Sequence, residues 1–141
     1  LLQLRLGPVE VQSLGWGEQL DINGVRVSLH PAGHIIGSSQ VRVEYKGEVW
    51  VVSGDYKVVS DGISGNFEPV PCHHFVTEST FGLPIYQWED QEIIYQQIRQ
   101  WVLDNQAAGY SSVLLAYSLG KAQRVISSLA PLQQPIYAHG A

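Results

Sequence analysis

The sequence predicts an α/β fold in which an antiparallel β-meander passes into an α/β layer. Period-2 alternation of apolar and polar residues dominates the first half. A long stretch at helical spacing opens the second half, and apolar runs then bracket a second helical segment. The chain of 141 residues is roughly one domain's worth, and its 45% hydrophobic against 15% charged residues provides for a packed core rather than disorder.

VRVSLH (25–30) sets Val25, Val27 and Leu29 against Arg26, Ser28 and His30, as a half-buried strand does. Ahead of it, DING (21–24) contains Asn-Gly, the strongest short hairpin signal. VRVEY (41–45) alternates again, Lys46-Gly47 makes a tight turn, and EVWVVSGD (48–55) follows as a more fully apolar strand. A turn-rich stretch (61–74) leads to HFVTE (74–78), a short apolar strand with a polar end. In 89–109, Ile94, Ile98, Trp101 and Val102 share one helical face, Glu89, Asp90 and Glu92 crowd the first turn, and Gly109 is a stop signal. SVLLAY (112–117) reads as a strand, Ser118 as the cap of a helix over 119–130 that Pro131 ends, and PIYAH (135–139) as a further strand, together a βαβ unit. The first residues read as the middle of a strand-and-turn region. With no methionine and a start on Leu1, the chain is expected to be an internal fragment of a longer protein.

Composition narrows the function. One cysteine excludes an internal disulfide framework and suits a reducing compartment, so a cytoplasmic location is expected. No apolar run approaches the ~20 residues of a bilayer span, and the N-terminus does not read as a signal peptide. Eight Lys and Arg against 13 Asp and Glu give a net charge of −5, which opposes a nucleic-acid grip made by basic residues across the whole surface.

Three residues stand where chemistry is usually displayed. His34 lies in a glycine-flanked loop, HPAGHIIGSSQ (30–40); it is either a metal ligand through a neutral ring nitrogen or a loop histidine bonded within its own turn. Asp55, in SGDY (53–56), follows an apolar strand; it is either a carboxylate bridging two divalent cations or a turn-initiating aspartate. Glu78, in TESTFG (77–82), either orients a catalytic histidine or accepts a proton, or is a solvated or capping glutamate. His34 and Asp55 at one end of neighbouring strands make only part of a metal site, because a catalytic zinc needs at least three protein ligands. Cys72, His73 and His74 are adjacent and point to alternating faces, which argues against one shared ion. His139 reads as structural or exposed, and Ser118, Gly120 and Lys121 lack the spacing of a phosphate loop.

PAGHIIGS, VVSGDYK, TESTFGLPIY and LLAYSLGKAQRVI, in this order, resemble the β-CASP branch of the metallo-β-lactamase-fold nucleases. The likeness runs from about residue 10 to the end. It is nearest to the bacterial ligase-associated DNA exonucleases, the mRNA 3′-end processing factor-like exonucleases. The resemblance implies a partial metallo-β-lactamase αββα sandwich over residues 1–78 that runs into the start of a β-CASP α/β domain over 79–141. By position, His34 matches a histidine metal ligand, Asp55 the aspartate that bridges two zinc ions, and Glu78 the acidic residue of the first β-CASP motif, which works through a downstream histidine. The resemblance further implies two-zinc phosphodiester hydrolysis of nucleic acid, either DNA 3′ ends or RNA, with a DNA ligase and an associated helicase as partners. The HxHxDH motif that holds most of the zinc is absent and is expected before Leu1, with the later β-CASP histidines after Ala141. The chain alone is therefore expected to be nearly inert. Two rival readings are a non-catalytic scaffold subunit, which a degraded HxHxDH motif would favour, and a hydrolase of small esters or thioesters, which predicts no insertion over 79–141.

Overall fold

Alternating side chains and tight turns build one mixed five-stranded sheet in the computed structural model, which describes residues 2–139. The strands β1 (Gln19–Ile22), β2 (Val25–Pro31), β3 (Ser39–Tyr45), β4 (Glu48–Val52) and β5 (His74–Val76) lie in the spatial order 1-2-3-4-5. β2, β3 and β4 form the expected antiparallel meander, which β1 extends. Asn23 and Gly24, both at positive φ, turn β1 into β2, and Lys46 and Gly47 do the same between β3 and β4. The β5 strand joins β4 in parallel, with Val51 opposite Phe75. As a result β2, β4 and β5 all point the same way, and the loops that follow them leave from one edge of the sheet.

Although β4 reads as a more fully apolar strand, only one of its faces is covered. Val49 and Val51 are buried, whereas Trp50 and Val52 lie on an open face, where Trp50 stacks on His74 with ring centroids 4.0 Å apart. Ala32 and Leu129 complete the buried apolar residues among those described. Gln40 is fully enclosed beside them, and its amide donates to the carbonyls of Pro31 (3.0 Å) and Glu68 (2.7 Å). That pair of bonds seats the turn-rich 61–74 stretch against the sheet, since an enclosed amide left unbonded costs about 1–3 kcal/mol.

The second half contains helices α2 (Gln91–Ala107) and α3 (Lys121–Leu129), the latter followed by a single 3-10 turn, Ala130–Leu132, that includes Pro131. Asp90 caps α2 by accepting from the Glu92 N–H at 2.8 Å, and Gly109 at positive φ ends it. The covered face of α2 is Tyr95, Ile98, Arg99 and Val102, whereas Ile94 and Trp101 remain exposed. The cap of α3 is Gly120 and not the expected Ser118; the Gly120 N–H donates to the Gln123 side chain at 2.6 Å.

Two expectations fail. The start of the chain is a short helix, α1 (Leu2–Leu6), and not strand or turn, because none of its residues is β-branched and Gly7 closes it. The predicted strands at 112–117 and 135–139 are unpaired, so no βαβ unit forms among the described residues. An apolar run becomes a strand only beside a ladder partner, and none stands next to either segment; Leu115 is 94% exposed.

Candidate metal centre at one sheet edge

The loops after β2, β4 and β5 carry His34, Asp55 and Glu78, so strand direction alone brings the three to the same edge. Local bonding then fixes each loop. The Ser38 hydroxyl accepts from the backbone N–H groups of His34 (3.0 Å) and Ile35 (3.2 Å), while Ala32 N–H donates to the Ser38 carbonyl. The turn thereby closes on its own backbone and leaves the imidazole free. Gly33 has φ +70°, and a Cβ there would lie 2.5 Å from the Lys57 carbonyl oxygen. This close approach, with the Lys57 N–H donating to the Ala32 carbonyl at 3.0 Å, draws the Asp55 loop against the His34 loop. Ser53 is fully enclosed, and its N–H donates to the Val76 carbonyl at 2.9 Å, which sets the start of that loop.

The result is a short approach between the first two candidates. His34 Nε2 lies 3.8 Å from Asp55 Oδ2, with the side chains 45% and 71% exposed. Both donors face solvent at one place. Two donors on one tetrahedral zinc, with bonds near 2.0–2.2 Å, stand about 3.4 Å apart. The imidazole nitrogen and the carboxylate oxygen therefore fit as a pair of ligands with a shift of a few tenths of an ångström. Among the described residues no group of three or more His, Cys, Asp and Glu side chains is placed to hold a metal ion.

Glu78 stands apart from this pair in its bonding. Its Oε2 accepts from the Thr80 N–H at 2.7 Å, a bond within its own loop of the kind a capping glutamate makes. Hydrogen bonds from Thr80 hold its carboxyl below the ordinary glutamate value, against the effect of burial, and the charge of nearby His34 lowers it further. Glu78 thus lies within electrostatic reach of His34 as an anion.

The other histidines are engaged in structural bonds or lie away from this edge. The His73 N–H donates to the Val49 carbonyl, and His73 Nδ1 accepts from the Val49 N–H at 3.0 Å. His74 Nε2 lies 3.4 Å from Glu48 Oε2, and His30 Nδ1 lies 2.9 Å from Glu68 Oε1. Cys72 is half-buried and His139 is exposed.

Sequence reasoning missed the network that joins the helices to the site. The Asp61 side chain is fully enclosed; its Oδ1 accepts from the backbone N–H groups of Ile63 (3.1 Å) and Ser64 (2.8 Å), and its Oδ2 from the Ser64 hydroxyl (2.9 Å). Burial pushes its carboxyl up, but these bonds and the Lys57 charge outweigh that and hold it below the ordinary aspartate value. Lys57 Nζ and Arg124 Nε approach Asp61 Oδ2 at 4.0 and 3.8 Å, and Lys57 also donates to Gln91 at the start of α2. Gly120 packs so closely on Ile35, beside His34, that a Cβ there would meet Ile35 Cγ2 at 2.4 Å. Only the D-G and L-G dipeptides hinted at these positions, since the partners lie far apart in sequence.

A probable DNA ligase of Opitutus terrae is 34% identical over 99% of this chain. The RNase aCSPSF2 of Saccharolobus solfataricus is 28% identical over 91%, and cleavage and polyadenylation specificity factor 73 of Drosophila melanogaster is 25% identical over 83%. The chain is thus similar, at low identity, to proteins named as ribonucleases, a cleavage and polyadenylation factor and a DNA ligase. It spans 14% of the ligase, 27% of the archaeal RNase and 17% of the fly factor. No family model matches it.

Proposed function

We propose that this chain supplies part of the catalytic region of a zinc-dependent phosphodiesterase that acts on nucleic-acid ends, as an internal portion of a longer, cytoplasmic polypeptide. The observation that carries the proposal is the approach of His34 Nε2 to Asp55 Oδ2 at 3.8 Å on a sheet edge shared with Glu78. In this reading residues 1–78 are the later part of the first metallo-β-lactamase-fold sheet and its αββα sandwich, and 79–141 open the β-CASP domain.

His34 and Asp55 would hold the metal together with donors from outside this chain. Bound divalent cations supply Lewis acidity toward the phosphoryl oxygens and the positive field that a chain of net charge −5 lacks. The protein's own contribution is positional. Ser38 and Gly33 fix the backbone that carries the imidazole, the Gly54 turn presents the carboxylate, and Glu78, held anionic by Thr80, is set to orient a histidine that handles the leaving-group proton.

The match to a protein named as a DNA ligase, over almost the whole chain, supports DNA as the substrate and a ligase as a working partner; a helicase as a further partner follows from the motif resemblance alone. The RNase and endoribonuclease matches support the RNA alternative at lower identity. The test is cleavage of end-labelled DNA and RNA strands by the intact protein with and without a chelator. Asp55→Ala is expected to abolish metal-dependent cleavage while leaving the circular dichroism spectrum unchanged. Undiminished cleavage by that variant refutes its role as a metal ligand.

A further inference from the structure

Lys57 follows Asp55 by two residues and touches three parts of the molecule. Its N–H donates to the Ala32 carbonyl at 3.0 Å, and a Cβ on Gly33 would lie 2.5 Å from its carbonyl oxygen, so its backbone is pressed against the His34 turn. Its ammonium reaches the start of α2, where it donates to Gln91 Oε1 at 2.8 Å. The side chain is 23% exposed, low for a lysine. Asp61 Oδ2 lies 4.0 Å from Nζ, beyond hydrogen-bond length, so the direct partner among the described residues is a neutral amide. Taking an ammonium out of water to meet an amide carries a desolvation cost, so stability alone does not account for this arrangement. Little apolar cover holds the rest of the loop, since Val58 and Val59 are both exposed.

From this geometry we infer that Lys57 is a positioning residue through which the start of α2 sets the separation of His34 and Asp55, and with it the affinity of the metal centre. The inference rests on the metal-centre reading above. The backbone of Lys57 seats the Asp55 loop on the His34 turn, and its ammonium ties that backbone to Gln91, the first residue of α2. Asp61 does not make the same link. Arg124 Nε approaches the same Oδ2 at 3.8 Å, so Asp61 keeps a cation beside it when the Lys57 ammonium is removed. The two donors stand 3.8 Å apart, a few tenths of an ångström from the spacing one ion requires, so a small displacement of this loop is felt as a change in affinity.

The test is titration of the intact, chelator-stripped protein with Co²⁺ in place of zinc, followed by visible absorption. Lys57→Met keeps most of the stem and removes the ammonium, whereas Gln91→Leu removes the acceptor and leaves Lys57 in place. Each is expected to weaken Co²⁺ binding roughly 3- to 30-fold, the range for a residue that touches neither ligand, and the double variant to be no worse than either alone. Gln91→Glu retains an acceptor for the ammonium at a helix start that favours an anion, and is expected to bind Co²⁺ as the parent does. Parental affinity in Gln91→Leu overturns the inference, and decides it even where Lys57→Met fails to fold. Losses that multiply in the double variant, or a loss in Gln91→Glu equal to that in Gln91→Leu, overturn it as well. If the parent itself binds no Co²⁺, the metal-centre reading falls and the positioning role with it.

Discussion

Asp61 and Asp55 sit in the same region of the chain and show two opposite uses of one side chain. Asp61 is enclosed and its bonds are met locally by Ser64 and Ile63, with Lys57 and Arg124 alongside, so its work is structural. Asp55 is largely exposed, and among the described residues its ion-pair partner is His34. Asp61→Asn is expected to destabilise the protein by roughly 2–4 kcal/mol, since it weakens several bonds to a charged acceptor. The sign of its pH dependence follows from a carboxyl held below its ordinary value. Its stabilisation is present in full above the unfolded-state value and is lost as pH falls through the folded-state value. The gap between parent and Asp61→Asn in urea unfolding should therefore be wide at neutral pH and narrow in acid; a gap that widens in acid would contradict it. His34→Ala and Asp55→Ala, at exposed positions, are expected to stay within about 0.5 kcal/mol of the parent in the same unfolding measurement.

At the scale of elements, glycine contacts decide where the loops sit. Gly33 faces the Lys57 carbonyl and Gly120 faces Ile35, so the His34 turn is gripped from the β4 side and from the start of α3. Gly120→Ala, at φ +73° with its Cβ 2.4 Å from Ile35 Cγ2, is expected to destabilise by about 2 kcal/mol. Adding Ile35→Ala should relieve the clash, so the double variant should lose about 1 kcal/mol less than the two single losses together. Strict additivity in a double-mutant cycle would show that the contact carries no coupling. These elements also mark what could be read from sequence. The meander was legible because Val25, Val27 and Leu29 alternate and Asn23-Gly24 and Lys46-Gly47 turn the chain locally. The placement of His34, Asp55 and Glu78 after strands was legible for the same reason. The Asp61–Arg124 network and the Gly120–Ile35 contact were not, because they join segments distant in sequence. The runs at 112–117 and 135–139 were misjudged because hydrophobicity shows that a segment seeks cover but not what covers it.

For the molecule as a whole, surface area is the deciding quantity. The chain exposes 10580 Å² at 15.6 kDa, where a compact monomer of that mass exposes about 7,200 Å². Much of the open area is apolar, including Val113, Leu115 and Tyr117. The 141-residue chain by itself is therefore expected to bind a hydrophobic dye and to unfold over a broad denaturant range, with the 112–117 and 135–139 amides exchanging fast. A sharp, dye-free transition would show that those runs are covered within the chain. What the sheet does secure is a common edge for the loops after β2, β4 and β5, where a ring nitrogen and a carboxylate meet. The most direct measurement on that edge is the metal-dependent cleavage rate of the intact protein with His34→Ala, Asp55→Ala and the double substitution, all confirmed folded. If the two side chains hold one centre, each single change removes nearly all of the rate and the double is no worse than either alone. Independent, multiplying losses, or a rate that survives either change, would show that His34 and Asp55 do not act together.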